Sequence, residues 1–121
     1  MELNNRLIIL KDAKQIDEDI YTKLLNIISI FKRKLDIELT EENGAMFITH
    51  LAVALQRIKK GQPVNTPEED VFSEVRNSQY FSKASLMAEN IEKTVGIYIP
   101  EGEKKFLIIH VCALMEKEGL N

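Results

Sequence analysis

The chain contains two histidines, His50 and His110, and each has a charged residue seven positions away: Arg57 follows His50 and Glu103 precedes His110. Seven residues is close to two helical turns, so on a helix each pair shares a face. The rise over that span is roughly 10 Å, too far for a direct hydrogen bond, and each charged residue must act together with some other group. An accessible imidazole keeps a lone pair on one ring nitrogen near neutral pH and can attack a phosphoryl donor. The product carries about two negative charges where a roughly neutral ring had been, enough to repack a helix interface or attract an arginine. The competing reading is two core or interface histidines satisfied by ordinary hydrogen bonds.

Other chemistries find less support in the residues. Two histidines and a carboxylate can hold zinc, but no HExxH-like spacing accompanies them, and neither a metal nor a cofactor is expected. A glycine-rich phosphate loop and a serine-centred nucleophile motif are also missing, so the chain is not expected to be an enzyme. Cys112 is the single cysteine, which excludes an internal disulfide and a thiol metal cluster and suits a reducing cytoplasm. It lies among Ile109, Val111, Ala113 and Leu114, where a buried structural thiol is expected.

The 121 residues suit one domain. Apolar residues make up 45% and charged residues 29%, a balance that argues against disorder. Sixteen basic and nineteen acidic residues leave a net charge of −3, so direct nucleic-acid binding is not expected. The dense basic run Lys32-Arg33-Lys34 falls at the end of a predicted helix, where cations complement the helix dipole. No segment approaches the ~20 apolar residues of a membrane span and MELNNRLIILKDAK has no signal-peptide pattern, so neither secretion nor membrane association is expected.

Five helices are expected to position the histidines. The first carries Ile16, Ile20, Leu24, Ile27, Ile28, Phe31 and Leu35 at three-and-four spacing, with its start at an Asp12/Gln15 capping box or at Asp17. The run Leu7-Ile8-Ile9-Leu10 before it is ambiguous between strand and short helix. Thr40 followed by Glu41 and Glu42 opens a second helix ending at Lys59-Lys60-Gly61, with Met46, Phe47, Leu51, Ala54, Leu55 and Ile58 as its apolar stripe and His50 within it. Thr66-Pro67-Glu68-Glu69 predicts the cap and first turn of a short third helix to about Val75. Asn77 or Ser78 can cap a fourth, whose Phe81, Ala84, Met87, Ala88, Ile91 and Val95 run to Gly96. Ile97-Tyr98-Ile99 has no partner to pair with as a strand, and Pro100 opens a fifth helix bearing Glu101, Glu103 and His110. The predicted fold is all-α, a bundle of about five helices.

Two segments together resemble a known family. ITHLAVALQRIKKGQPV is similar to the first histidine block of the PTS regulation domain (PRD), the phosphorylation-controlled module of bacterial sugar-operon antiterminators and activators. GIYIPEGEKKFLIIHVCAL resembles the second block, and the sixty-residue separation of His50 and His110 also suits the family. By that resemblance His50 and His110 match the two family histidines, Arg57 the arginine after the first, and Glu103 the acidic residue of the second block. Residues 17–116 would form the domain, with 1–16 an N-terminal extension and 117–121 a C-terminal tail. The chain departs from the family pattern at Thr49, where an aspartate commonly stands, and at Lys104-Lys105-Phe106, which replaces an apolar-glycine-aromatic run.

The resemblance implies a cytoplasmic regulatory module that commonly forms a homodimer. Its histidines would accept phosphate from the histidine-containing phosphocarrier protein or a sugar permease subunit. Such regulators usually carry two of these domains behind an RNA- or DNA-binding domain, whereas one domain is read here, so any control of transcription is expected to pass through another protein. The alternative is an interaction or scaffold protein that keeps the fold and dimerises without phosphorylation, a reading the departures at Thr49 and Lys104 favour.

Overall fold

The computed structural model describes residues 2–62 and 67–119, and among them the chain forms six helices and no strand. They fall into two units, residues 1–62 and 63–121. The first unit holds α1 (Leu3–Asp12), α2 (Glu18–Leu35) and α3 (Glu41–Lys59); the second holds α4 (Glu69–Arg76), α5 (Phe81–Val95) and α6 (Glu101–Glu118). The all-α class is as predicted, and the sixth helix is the one made by the ambiguous apolar run near the N-terminus.

That run is helical because of what it packs on. Ten residues make too short a helix to persist alone in water. Leu3 and Leu7, one turn apart, are buried while Ile9 stays 53% exposed, and α1 packs on both α2 and α3. Burial of each leucine contributes about 1.5–3 kcal/mol, which decides the segment in favour of the 3.6-residue period.

Of the two starts left open for α2, the structure takes Asp17, whose side chain accepts from the Ile20 amide at 2.8 Å. Ile20, Leu24, Ile27, Ile30 and Phe31 form the buried face, and Phe31 meets Phe47 of α3 edge to face at 5.4 Å between ring centroids. The helix stops at Asp36, in the left-handed conformation with φ 53°, and Lys32 reaches over to pair with it at 2.9 Å. Lys32, Arg33 and Lys34 are all exposed, the solvated helix end the sequence predicts.

Thr40 caps α3 as predicted, in a reciprocal box with Asn43: the Asn43 amide donates to Thr40 Oγ1 at 3.3 Å, and the Thr40 amide donates to Asn43 Oδ1 at 2.7 Å. Gly44 in the first turn is buried, and a Cβ there would lie 3.3 Å from Leu39 Cδ2, so the glycine is what lets Leu39 sit close to the helix. The apolar stripe is corrected at two positions: Ile58 is only half-buried, and Met46 lies outside the core. Met46 is 82% exposed, because the buried face runs through Phe47, Ile48, Leu51, Ala52, Ala54, Leu55 and Gln56 instead.

A polar node ties the start of α2 to the end of α3. Buried Gln56 accepts from the Asp17 backbone amide at 2.9 Å, while Lys59 donates to Asp17 Oδ2 at 2.8 Å and to Asp19 Oδ2 at 3.1 Å. The Lys59 hydrogen bond, with those from the Ile20 amide and Gln56, lowers the Asp17 carboxyl pKa to about 2.

In the second unit, the predicted cap Thr66 lies outside the described residues. Pro67 precedes the N-cap residue Glu68 rather than occupying the first helical turn, and α4 begins at Glu69. Phe72 is the one buried side chain of this eight-residue helix. It meets Phe81 edge to face at 6.0 Å, with Arg76 and Lys105 stacked 4.8 and 5.1 Å from its ring centroid. The predicted caps of α5 are also corrected: Tyr80 is the N-cap residue, and Ser78 accepts from the Tyr80 amide at 3.1 Å while donating to Glu116 at 3.2 Å.

The α5–α6 connection turns at Gly96, with φ 65°, and is held by Glu92. Glu92 Oε2 accepts from the Ile99 amide at 2.8 Å and its other oxygen pairs with Lys104 at 3.0 Å. Pro100 then opens α6 as predicted. Cys112 is buried, and burial pushes its thiol pKa up against the opposing Ser78 hydrogen bond, in keeping with a structural role.

Two predictions follow the two polar nodes. Asp17→Ala should cost about 1 kcal/mol of unfolding free energy in urea titrations, the usual worth of an N-cap. Because the folded-state pKa of Asp17 lies below its unfolded value, its charged contribution is full above pH ~4 and is lost as pH falls toward 2. Asp17→Asn, which keeps a capping oxygen, should therefore flatten the stability profile between those limits. Glu92→Ala should lower stability by about 1–3 kcal/mol, the cost of leaving the Ile99 amide unsatisfied, whereas Glu92→Gln should retain part of it. Thermal melts of the two variants at neutral pH separate these outcomes.

Candidate functional site

His50 sits in the middle of α3, half-buried, on the turn after Met46. Positions 45 and 49, and 46 and 50, are each one turn apart, and together they form the strip of α3 left once Phe47, Ile48 and Leu51 turn into the core. This strip lines an open cavity of about 370 Å3 whose walls are Ala45, Met46, Thr49, His50 and, from α1, Arg6.

Arg6 is held across the helix pair. Its Nε donates to both carboxylate oxygens of Glu41, at 2.9 and 3.0 Å, and a terminal nitrogen also donates to Glu41 Oε1. The remaining terminal nitrogen reaches Thr49 Oγ1 at 3.5 Å, the long limit of a hydrogen bond. Hydrogen bonding to Glu41 raises the Arg6 pKa, and the guanidinium in turn lowers that of the Glu41 carboxyl. The side chains remain 34% and 22% exposed, so the cation borders solvent as well as the cavity.

Arg57, the charged residue sharing a helix with His50, is exposed near the C-terminal end of α3 and does not line the cavity. Arg6 does, and sequence reasoning missed it. Its proximity to His50 arises from a contact across 35 residues between α1 and the first turn of α3, which no local pattern encodes. The one available signal was that Arg6 immediately precedes the buried position Leu7, and reading it required the helical assignment of residues 3–12.

His110 lies within α6 and is half-buried; Glu103, two turns earlier on the same helix, is 2% exposed. Glu103 occupies the first turn, where the aligned amide dipoles favour a negative charge. His50 and Arg57 belong to residues 1–62, and Glu103 and His110 to residues 63–121.

Among the described residues no group of three or more His, Cys, Asp or Glu is arranged to hold a metal ion. No helix among them is long and apolar enough to cross a membrane.

The chain is similar to the Uncharacterized protein YhfY of Escherichia coli (strain K12), 21% identical over 112 residues that cover 93% of each chain. No solved structure matches it. The family model of the PRD domain matches residues 25–114, a span that begins after α1 and contains His50, Arg57, Glu103 and His110. With that match extending over well more than half of its length, the chain belongs to the PRD domain family.

Proposed function

We propose that this protein is a regulatory domain of bacterial carbohydrate metabolism, controlled by phosphorylation of His50 or His110 through the phosphotransferase system. The observation that supports it most is the half-buried His50 opening onto a solvent-accessible cavity beside the Arg6 guanidinium. An imidazole so placed can be reached by a donor, and the phosphoryl group it receives meets a cation.

In the transfer, the P–N bond of the donor's phosphohistidine breaks as a P–N bond forms on a ring nitrogen of the acceptor. The donor imidazole recovers its lone pair, the proton displaced from the acceptor ring passes to solvent or the donor, and no oxidation or reduction occurs. The donor is the histidine-containing phosphocarrier protein or a sugar permease subunit. The module works in the cytoplasm as a homodimer and acts on transcription through a protein partner, without binding nucleic acid itself. Arg57, exposed on α3, contributes a contact to the partner.

A second reading is a dimerising scaffold that works without phosphorylation. The 82% exposure of Met46, directly beside His50, favours it, because a long apolar side chain in that position is suited to an interface.

Intact-mass measurement after incubation with phosphoenolpyruvate, enzyme I and phosphocarrier protein tests the first reading. The wild type should gain about one phosphoryl group per active histidine, and His50→Gln should lose the part carried there. No gain, with permease subunits also present, sinks it. For the second reading, Met46→Glu should weaken self-association at least about tenfold in sedimentation experiments, the effect of burying an unpaired charge at an interface. A wild type that stays monomeric at every concentration removes that reading.

A further inference from the structure

Arg6 is paired with a carboxylate, Glu41. It is the single charged residue among those lining the His50 cavity, and three of its hydrogen bonds go to Glu41. The fourth, to the neutral Thr49 hydroxyl, is long and directed to the residue next to His50 in sequence. One edge of the guanidinium is thus taken by a carboxylate, while the other terminal nitrogen holds only Thr49, itself a lining residue of the cavity.

We propose that Arg6 is the anion-receiving residue of the His50 site, and that Glu41 is its resting-state counter-ion, displaced in whole or part when His50 carries a phosphoryl group. The inference rests on the phosphorylation reading of His50 and extends it to a residue of α1, outside the segment that the family model matches. A phosphoryl group offers three acceptor oxygens and about two negative charges against the single charge of a carboxylate. It therefore competes for a guanidinium already poised at the cavity, beginning with the terminal nitrogen that holds Thr49 weakly. Since Arg6 belongs to α1 and Glu41 to the first turn of α3, the exchange redirects the α1–α3 ion pair toward the middle of α3. Phosphorylation at His50 is thereby felt by the N-terminal helix.

The test loads the full chain with phosphoryl groups in two ways, by the enzyme I and phosphocarrier route and by phosphoramidate, which phosphorylates histidine without any protein donor. The phosphorus NMR resonance of phospho-His50 is identified by its loss in His50→Gln, and its pH titration is followed in wild type, Arg6→Gln and Glu41→Gln. Hydrogen bonding by Arg6 favours the dianion, so Arg6→Gln should raise the phosphoryl pKa by about one unit. Glu41→Gln removes the competing carboxylate and should lower it. A mere loosening of α1 would move both variants in the same direction, so opposite shifts distinguish an anion contact from a packing effect.

Coincident titrations in wild type and Arg6→Gln overturn the inference, and shifts of the same sign in both variants do so as well. If phosphoramidate places no phosphoryl group on His50, the accessible cavity is refuted and the inference falls with it. Loading by phosphoramidate alone, with opposite shifts, would sustain the role of Arg6 while refuting the phosphocarrier as donor. Loading by both routes without dependence on Arg6 would leave the proposed function standing and refute this one.

Discussion

The arrangement of residues 1–62 depends on the need to satisfy a buried amide. Gln56 is 8% exposed near the end of α3, and a side-chain carbonyl and NH2 in that setting are costly without partners. The start of α2 supplies them: the Asp17 backbone amide donates to Gln56 Oε1, and Asp17 Oδ2 lies 3.4 Å from Gln56 Nε2. The same carboxylate caps α2 and receives Lys59. A few side chains thus fix both the start of one helix and the end of the next, and with the Phe31–Phe47 contact they define which strip of α3 faces outward. His50 lies on that strip, so its access to solvent is a consequence of how the helix ends are tied.

Residues 63–121 use a related device. Glu92 satisfies the Ile99 amide in the turn after Gly96 and pairs with Lys104 in the first turns of α6, so one carboxylate joins the end of one helix to the beginning of the next. Both nodes place a charged side chain on an otherwise unpartnered backbone amide at a chain reversal, where the hydrogen bond is strengthened by the charge. Apolar packing then fills the remainder: Ala84, Met87, Ala88, Ile91 and Val95 are buried on α5, as are Leu107, Val111, Cys112, Leu114 and Met115 on α6. His110 is carried on a helix positioned in this way.

The cavity at His50 borders an ion pair of a different kind from these nodes. The cavity is lined by the half-buried imidazole, a threonine, a methionine, an alanine and the arginine engaged by Glu41. An ion pair with about a third of its cation exposed contributes little to stability by itself. That makes Arg6–Glu41 easy to rearrange, whereas the Asp17–Gln56–Lys59 node is anchored by a buried amide and an N-cap.

Much of the helical framework was legible along the chain because its signals are local. The Thr40 cap, the Gly96 stop, the Pro100 start and the apolar spacing of α2 and α5 each depend on residues within one or two turns. The PRD resemblance was likewise readable from ordered blocks of sequence. Three features were not. The run Leu7–Leu10 fits either backbone period, and burial of Leu3 and Leu7 against α2 and α3 decided it. Met46 fits the helical stripe by spacing, but the core side of α3 is set by Phe31 and Gly44's neighbours, which leave it outside. Arg6 joins His50 through a contact with Glu41 that spans 35 residues. Sequence by itself determined the helix-forming segments and the reactive residue types, since capping and periodicity are short-range; only the tertiary structure decided which cation stands beside His50, because that depends on how separate helices pack.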